Sequence, residues 1–138
     1  MWYEQTDTYA SWFPGGEGAD GLGVLPGRMY EHSSTTFEDD CSSEGCSDKT
    51  PGKPEHIIQL WRLSEPAMMA EWTKIRDKPY AHYRLLRKNC STIVARILRA
   101  GMTGLTVWNQ AAAQAWAHRI YWTPTDCVKF ATVLKSMR

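Results

Sequence analysis

The chain has 138 residues, of which 43% are hydrophobic and 22% are charged, as is typical of a single soluble globular domain. Its formal net charge of +1 gives no long-range field for nucleic acid or acidic membranes, so we expect neither as a partner. No apolar run approaches the roughly 20 residues of a membrane span. The opening MWYEQTDTYASW lacks the basic and apolar regions of a signal peptide, so none is predicted. We therefore expect one domain over residues 1–138.

The N-terminal half predicts extended structure. Residues 2–13 predict a β-hairpin, because aromatic residues flank the polar turn EQTD. Residues 14–54 are dense in Gly, Pro, Ser and acidic residues, so a long irregular loop is expected there. Loops of this length in small domains are often binding or lid segments. Residues 56–63, HIIQLWRL, predict a buried strand, because they contain a short apolar run.

Two of the four cysteines, Cys41 and Cys46, lie in the predicted loop within the motif CSSEGC. In an oxidising compartment they can form a disulfide. With His32 and His56 they could instead form a zinc site, but the spacing differs from the common C-x2-C knuckle. The third interpretation is two free thiols in a solvated loop. We expect no metal and no cofactor.

The C-terminal half predicts helices. Ser64 is a suitable N-cap before an apolar stripe of helical spacing, and the motif TPTD at Thr123 is a capping box with proline at the first helical position. Asn109 is predicted to cap the third helix, and Gly101 is predicted as the C′ residue of the second. The expected helices lie near residues 65–77, 90–100, 110–118 and 124–136.

Cys90 is the candidate for chemistry. It opens the second predicted helix on its apolar side, one turn before Ile93 and Val94. The free N–H groups and partial positive charge of a helix N-terminus favour a thiolate and can also hold an oxyanion. Lys88 adds positive potential. The competing interpretation is a small buried core residue, because cysteine is among the most buried residue types.

A resemblance favours the first interpretation. The pattern Y-x-L-L-x-x-N-C-S-x-x-V, from Tyr83 to Val94, resembles the nucleophile segment of circularly permuted papain-like cysteine hydrolases, the superfamily that includes relatives of lecithin–retinol acyltransferase. Residues 9–15, 25–29 and 122–134 resemble a strand, a loop and the closing helix of its bacterial toxin and effector members. The resemblance implies an α+β, permuted papain-like fold, in which a small antiparallel sheet packs on a helix bundle.

The resemblance also implies a function. Cys90 would be the nucleophile of an amidase, peptidase or thioesterase, and Ser11 would match the small polar residue on the second strand. The substrate would be a peptide, peptidoglycan or an acyl compound. The implied setting is a secreted or injected bacterial effector, such as a type VI secretion cargo, with a cognate immunity protein as partner. The alternatives are an inactive binding module of the same fold and an acyltransferase on lipid substrates.

The catalytic histidine of that superfamily would align just ahead of Met1. Either the base lies outside this chain or another histidine serves. His56 is the favoured candidate, because it opens a predicted strand that can face the cysteine helix. His82 follows, since a turn can return it toward the cysteine. His32 and His118 are the remaining choices.

Overall fold

The computed structural model describes residues 1–3, 8–15, 30–33, 56–79, 82–84 and 87–137. The described strands are β1 (Trp2–Tyr3), β2 (Thr8–Tyr9), β3 (Phe13–Gly15), β4 (Tyr30–Ser33) and β5 (His82–Tyr83). The described helices are α1 (Glu65–Arg76), α2 (Cys90–Gly101), α3 (Val107–Ala117) and α4 (Pro124–Ser136), and a 3-10 turn (Met102–Gly104) follows α2.

The strands form two separate antiparallel ladders. β1 pairs with β2, with Trp2 opposite Tyr9. β4 lies between β3 and β5, with His32 opposite Pro14 and Glu31 opposite His82. Each described strand is two to four residues long. Such lengths fall at or below the short end for strands in globular proteins.

The predicted α+β fold, with a small antiparallel sheet packed on a helix bundle in a permuted papain-like arrangement, is wrong. The described part of the chain is a helical body, and its strand pairs are too short and too divided to make a sheet layer. Aromatic residues favour strands in a sequence, but the same side chains also fill a helical core. Trp12 does so here: it is 1% exposed and meets the ring of Trp72 edge-on, at 6.4 Å between centroids.

The strand predicted at residues 56–63 is also wrong, because that segment is irregular. Its apolar residues divide between core and solvent without strand alternation. Ile57 and Trp61 are 78% and 66% exposed, whereas Ile58, Leu60 and Leu63 pack against the core.

Most of the loop predicted at residues 14–54 lies outside the described residues, including Cys41 and Cys46. Two stretches within it belong to strands. Pro14 and Gly15 complete β3, and residues 30–33 form β4.

The helix predictions are confirmed where local capping determined them. The Ser64 hydroxyl accepts the N–H of Ala67 at 3.4 Å and starts α1. At the start of α4, the Thr123 hydroxyl accepts the N–H of Asp126 at 3.2 Å, and the Asp126 carboxylate accepts the N–H of Thr123 at 3.1 Å. The cap predicted for the third helix is wrong by three residues. Thr106, not Asn109, caps α3.

Helix α2 is the centre of the core. It packs against α1 on one side and against α4 and the 3-10 turn on others. From α4, Phe130 packs on Trp122 at 5.5 Å between ring centroids. The fully buried side chains that α1, α2 and α4 contribute include Trp72, Ile93, Ile97, Phe130 and Leu134. Within the described residues, no helix combines the length and apolar character needed to cross a membrane.

Gly101 is not the C′ residue that the sequence predicts. It is the last residue of α2 and has ordinary right-handed dihedrals, with φ −63°. Its lack of a side chain serves close packing instead, because a Cβ there would lie 2.6 Å from Met68 Sδ. The space around Gly104 is smaller still. A Cβ there would meet the carbonyl oxygen of Arg62 and lie 2.6 Å from the backbone nitrogen of Ser64.

We predict that Gly104→Ala lowers the free energy of unfolding by about 2 kcal/mol, because backbone atoms must move to admit the methyl group. Gly101→Ala should cost less, about 1 kcal/mol at most, since the Met68 side chain can shift and alanine favours a helix. Urea unfolding of the two variants measures both values. A smaller loss for Gly104→Ala than for Gly101→Ala would contradict this packing.

Candidate functional site

A pocket of about 100 Å³ lies beside the N-terminal half of α2. The N-terminal segment and α2 form its walls. The lining residues are Met1, Tyr9, Ala10, Ser11, Trp12, Cys90, Ile93, Val94 and Ile97. The lining is mainly apolar, and Cys90 and Ser11 supply reactive or hydrogen-bonding side chains. The structure therefore brings together two of the three residues that the sequence predicts for catalysis.

Cys90 is the first residue of α2, and its helix start is firmly fixed. The side-chain oxygen of Asn89, the N-cap, accepts the Thr92 N–H at 2.8 Å and the Thr92 hydroxyl at 2.9 Å. The Asn89 amide nitrogen donates to the carbonyl oxygen of Trp122 at 3.2 Å. One side chain thus satisfies an exposed N–H of α2 and ties the helix start to the segment before α4.

The N-terminal strand segment is held against this site by backbone hydrogen bonds. Met1 N donates to the Ala10 carbonyl at 3.0 Å, and the Ala10 N–H donates to the Met1 carbonyl at 2.7 Å. The pair places Ser11 and Trp12 on the pocket wall, where they are 7% and 1% exposed. Ser11 is therefore a buried polar residue that faces the same cavity as Cys90.

Cys127 is a second thiol near the start of α2, but its environment differs. Its Sγ donates to the Ser91 carbonyl at 3.2 Å. Burial raises the pKa of Cys127 to about 12, with a smaller contribution from the nearby Cys90, while the contact with Ser91 acts in the opposite direction. Cys90 is half-buried and lines the pocket, and its Sγ lies 4.0 Å from the Ser91 hydroxyl. Of the two thiols, Cys90 alone borders the pocket.

Two further side chains of this region, Tyr83 and Lys88, were not predicted as catalytic residues. Tyr83 is 7% exposed, and its pKa is raised by burial and then by the charge of Cys90, so its hydroxyl is a neutral donor at pH 7. Lys88 lies with its Nζ 5.0 Å from the centroid of the Trp12 ring. The pattern Y-x-L-L-x-x-N-C contained Tyr83, but only the folded chain shows that it lies near Cys90.

Of the predicted histidines, the two whose side chains the structure describes, His56 and His118, do not line the pocket. His56 is exposed and lies in the irregular segment before α1. His118 is exposed at the C-terminal end of α3. His32 lies in β4 rather than in a loop, and His82 lies in β5. A histidine as general base stays a prediction.

Comparison with known proteins adds two findings. The model of the IcsB middle domain family matches residues 29–138, a range that includes Cys90 and excludes Ser11. The chain is also 37% identical over 79 residues, 56% of its length, to proteins named multifunctional-autoprocessing repeats-in-toxin from Vibrio vulnificus and Vibrio cholerae serotype O1. The matched segment spans only 1% and 2% of those toxins. No solved structure matches the chain.

The comparisons support the predicted relationship to bacterial toxins and effectors. They relate the chain to bacterial toxin and effector proteins. They do not extend to a papain-like superfamily, to amidase activity or to type VI secretion.

We predict that iodoacetamide modifies Cys90 before Cys127 in the folded protein at pH 8. Cys127 stays a protonated thiol because its pKa is about 12, whereas Cys90 is half-buried and borders the pocket, where the reagent can reach it. The two cysteines fall in different tryptic peptides, so mass spectrometry follows each separately. If Cys90 is instead an inert core residue, its alkylation will require denaturant.

We also predict unequal effects at the helix cap. Asn89→Ser keeps an oxygen that can accept the Thr92 N–H but removes the donor to Trp122, so it should cost about 1 kcal/mol. Asn89→Ala removes both and should cost about 2 kcal/mol. Thermal unfolding followed by circular dichroism measures the difference. Equal losses would mean that the cap itself contributes no stability, and no loss for Asn89→Ser would mean that the bond to Trp122 contributes none.

Proposed function

The chain belongs to the IcsB middle domain family, and we propose that it acts as a cysteine hydrolase domain of a bacterial toxin or effector. The observation that carries the proposal is the position of Cys90, at the first residue of α2 and on the wall of a mainly apolar pocket. The relationship to bacterial toxins supports the effector role. The proposed chemistry is cleavage of an amide, peptide or thioester bond.

In the proposed reaction a general base takes the proton of the Cys90 thiol as the sulfur attacks a carbonyl carbon in the pocket. A carbon–sulfur bond forms, and the carbonyl oxygen becomes an oxyanion that first-turn N–H groups of α2 can hold. The leaving group departs with a proton from the general base, which leaves an acyl group on Cys90. Water then attacks this thioester, releases the acid and restores the thiol.

Asn89 positions the start of α2 without taking part in the reaction. Its side-chain oxygen occupies the Thr92 N–H, so the N–H groups of Cys90 and Ser91 are the first-turn donors that can serve the oxyanion. We propose that Ser11 completes the polar part of the pocket, either by holding a polar group of the substrate or by orienting the base. Its position on the pocket wall supports this role.

Two histidines are candidates for the general base. His56 was favoured from the sequence, yet it is exposed and does not line the pocket. His82 is adjacent to Tyr83, which lies near Cys90. The variants His56→Gln and His82→Gln test these two directly, because loss of the base should slow formation of the acyl-enzyme without removing Cys90.

A second candidate function is acyl transfer to an amine or alcohol, and the composition of the pocket favours it. Apart from Cys90 and Ser11, the described lining residues are aliphatic or aromatic, except Met1, which contributes a long apolar side chain. Such a wall suits a hydrocarbon chain better than a peptide. The acyl-enzyme would be the same in both reactions, and only the second nucleophile would differ.

The third possibility is a binding module that uses the pocket without chemistry. In that case Cys90 would not become acylated. An immunity protein as partner and export by type VI secretion also stay proposals, since they rest on the resemblance of the sequence to toxin members of a superfamily.

We predict that p-nitrophenyl esters acylate Cys90 and release a burst of p-nitrophenol. Cys90→Ala should remove the burst and the mass increase of its tryptic peptide. Cys127→Ala is the matched control and should retain both, because Cys127 does not line the pocket. An acyl group found elsewhere, or none on folded protein, would exclude Cys90 as the nucleophile under these conditions and favour the binding module.

The acyl-transfer candidate makes a separate prediction about chain length. Val94→Phe narrows the pocket, so it should slow acylation of Cys90 by a decanoyl ester at least tenfold. The rate of acylation by an acetyl ester should change little. Val107→Phe, on the exposed start of α3, is the control for an added aromatic ring. If Val94→Phe slows both esters equally, the pocket does not hold the acyl chain.

A further inference from the structure

Helix α3 has an unusual surface for a helix at the outside of a protein. None of its eleven residues is charged, and its two buried side chains are the alanines Ala113 and Ala117. Trp108, in contrast, is 85% exposed, and Val107 beside it is 78% exposed. A surface helix ordinarily turns its apolar stripe to the core and its charged residues to water. In α3 the small residues lie inside and the largest apolar side chain lies outside.

The outward side of α3 is an apolar face that runs along the helix. Four exposed residues at positions i, i+3, i+4 and i+7 share this side, because such spacing returns to the same side of a helix. They are Trp108, Ala111, Ala112 and Ala115, which we call the outer face. It has a large side chain at its N-terminal end and only methyl groups after it. An exposed apolar face of this kind marks an interaction site.

Two more exposed apolar residues follow the C-terminal end of α3. Ile120 is 77% exposed and Tyr121 is 52% exposed. The first charged residue after the helix, Arg119, is already compensated within the chain. Its guanidinium pairs with the Asp126 carboxylate at 2.6 Å and lies 5.6 Å from the centroid of the Trp116 ring. A partner that covers this end of α3 therefore meets no uncompensated charge from Arg119.

We propose that the outer face pairs with the same face of a second copy of this chain, and that the two helices run antiparallel. A two-fold axis brings the same surface of both copies together, so like charges would face each other there. A helix without charges avoids that cost. The axis would pass between Ala111 and Ala112, midway between Trp108 and Ala115. Each Trp108 ring would then lie on the Ala115 methyl group of the other copy.

The dimensions of the outer face fit such a dimer. Alanines let two helix axes approach to about 8 Å, the short end of the usual range. A standard interface buries about 800 Å² on each partner, and a large aromatic side chain buries roughly 150–250 Å². Trp108 and Tyr121 can thus supply roughly a third of that area, and Val107, Ile120 and the alanines add to it. We expect a dimer with a dissociation constant of about 1 to 100 μM.

The chemistry of α3 favours a second copy over a lipid surface. Exposed tryptophan also suits the interface of a membrane with water. Helices that lie on a membrane, however, carry Lys and Arg beside their apolar face, and α3 carries neither. The proposal does not depend on chemistry at Cys90, so Cys90→Ala should leave the dimer unchanged.

Sedimentation equilibrium of the whole chain tests the proposal. The mass should rise to that of two chains at high concentration and fall to that of one on dilution. Trp108→Glu should raise the dissociation constant at least a hundredfold, because it puts two carboxylates into an apolar interface, and Ala115→Glu should raise it at least tenfold. Two controls add the same charge at exposed positions off the outer face and should change it less than threefold. They are Gln114→Glu on α3 and Thr132→Glu on α4.

A double variant tests the antiparallel register. Trp108→Glu and Ala115→Lys in one chain lie seven residues apart, so the new side chains are not neighbours on their own helix. In the dimer each glutamate would face a lysine of the other copy. The double variant should therefore bind at least tenfold more tightly than Trp108→Glu alone. Circular dichroism shows that each variant is folded.

Four results would overturn the proposal. One is the mass of a single chain at every concentration up to about 1 mM. Another is a single chain that sediments with phosphatidylcholine vesicles through Trp108, which would assign the outer face to a membrane. A dimer that Trp108→Glu and Ala115→Glu leave intact would have its interface elsewhere. A double variant no tighter than Trp108→Glu would exclude the antiparallel register.

Discussion

The burial of α2 is the constraint on which the rest of the described structure depends. Its C-terminal end meets α1 so closely that a Cβ on Gly101 would lie 2.6 Å from Met68 Sδ, and Ser64 N donates to the Gly101 carbonyl at 2.8 Å. Its N-terminal end is tied to the segment before α4 through Asn89 and Trp122. With both ends fixed and Ile93 and Ile97 buried, α2 can neither slide nor rotate without breaking core contacts.

This constraint explains why a reactive group can stand at the helix start. A nucleophile must be held within a fraction of an ångström of its working position, and a rigid helix does this better than a loop. The first turn of α2 also leaves N–H groups that no earlier carbonyl of the helix can satisfy. Cys90 combines both properties, whereas Cys127 lies deeper, next to the Ser91 carbonyl, where burial keeps it a thiol.

The sequence predicted what local rules determine. The capping box at Thr123 and the cap at Ser64 fixed the starts of two helices, and helical position together with a resemblance marked Cys90. The predicted sheet failed because aromatic residues suit strands and helical cores alike, and only tertiary contacts decide between them. Gly101 was misread for a similar reason, since its contact with Met68 joins residues 33 apart. Ser11 reached the site prediction through a resemblance. The sequence also marked Lys88 as a source of positive potential, but its position over the Trp12 ring and the burial of Tyr83 needed the fold.

Trp12 connects the pocket with a cation near the start of α2. It lines the apolar pocket beside Cys90, and the Lys88 ammonium lies over its ring. Positive potential at the start of α2 therefore has two sources, the helix itself and the Lys88 ammonium that Trp12 holds beside the pocket.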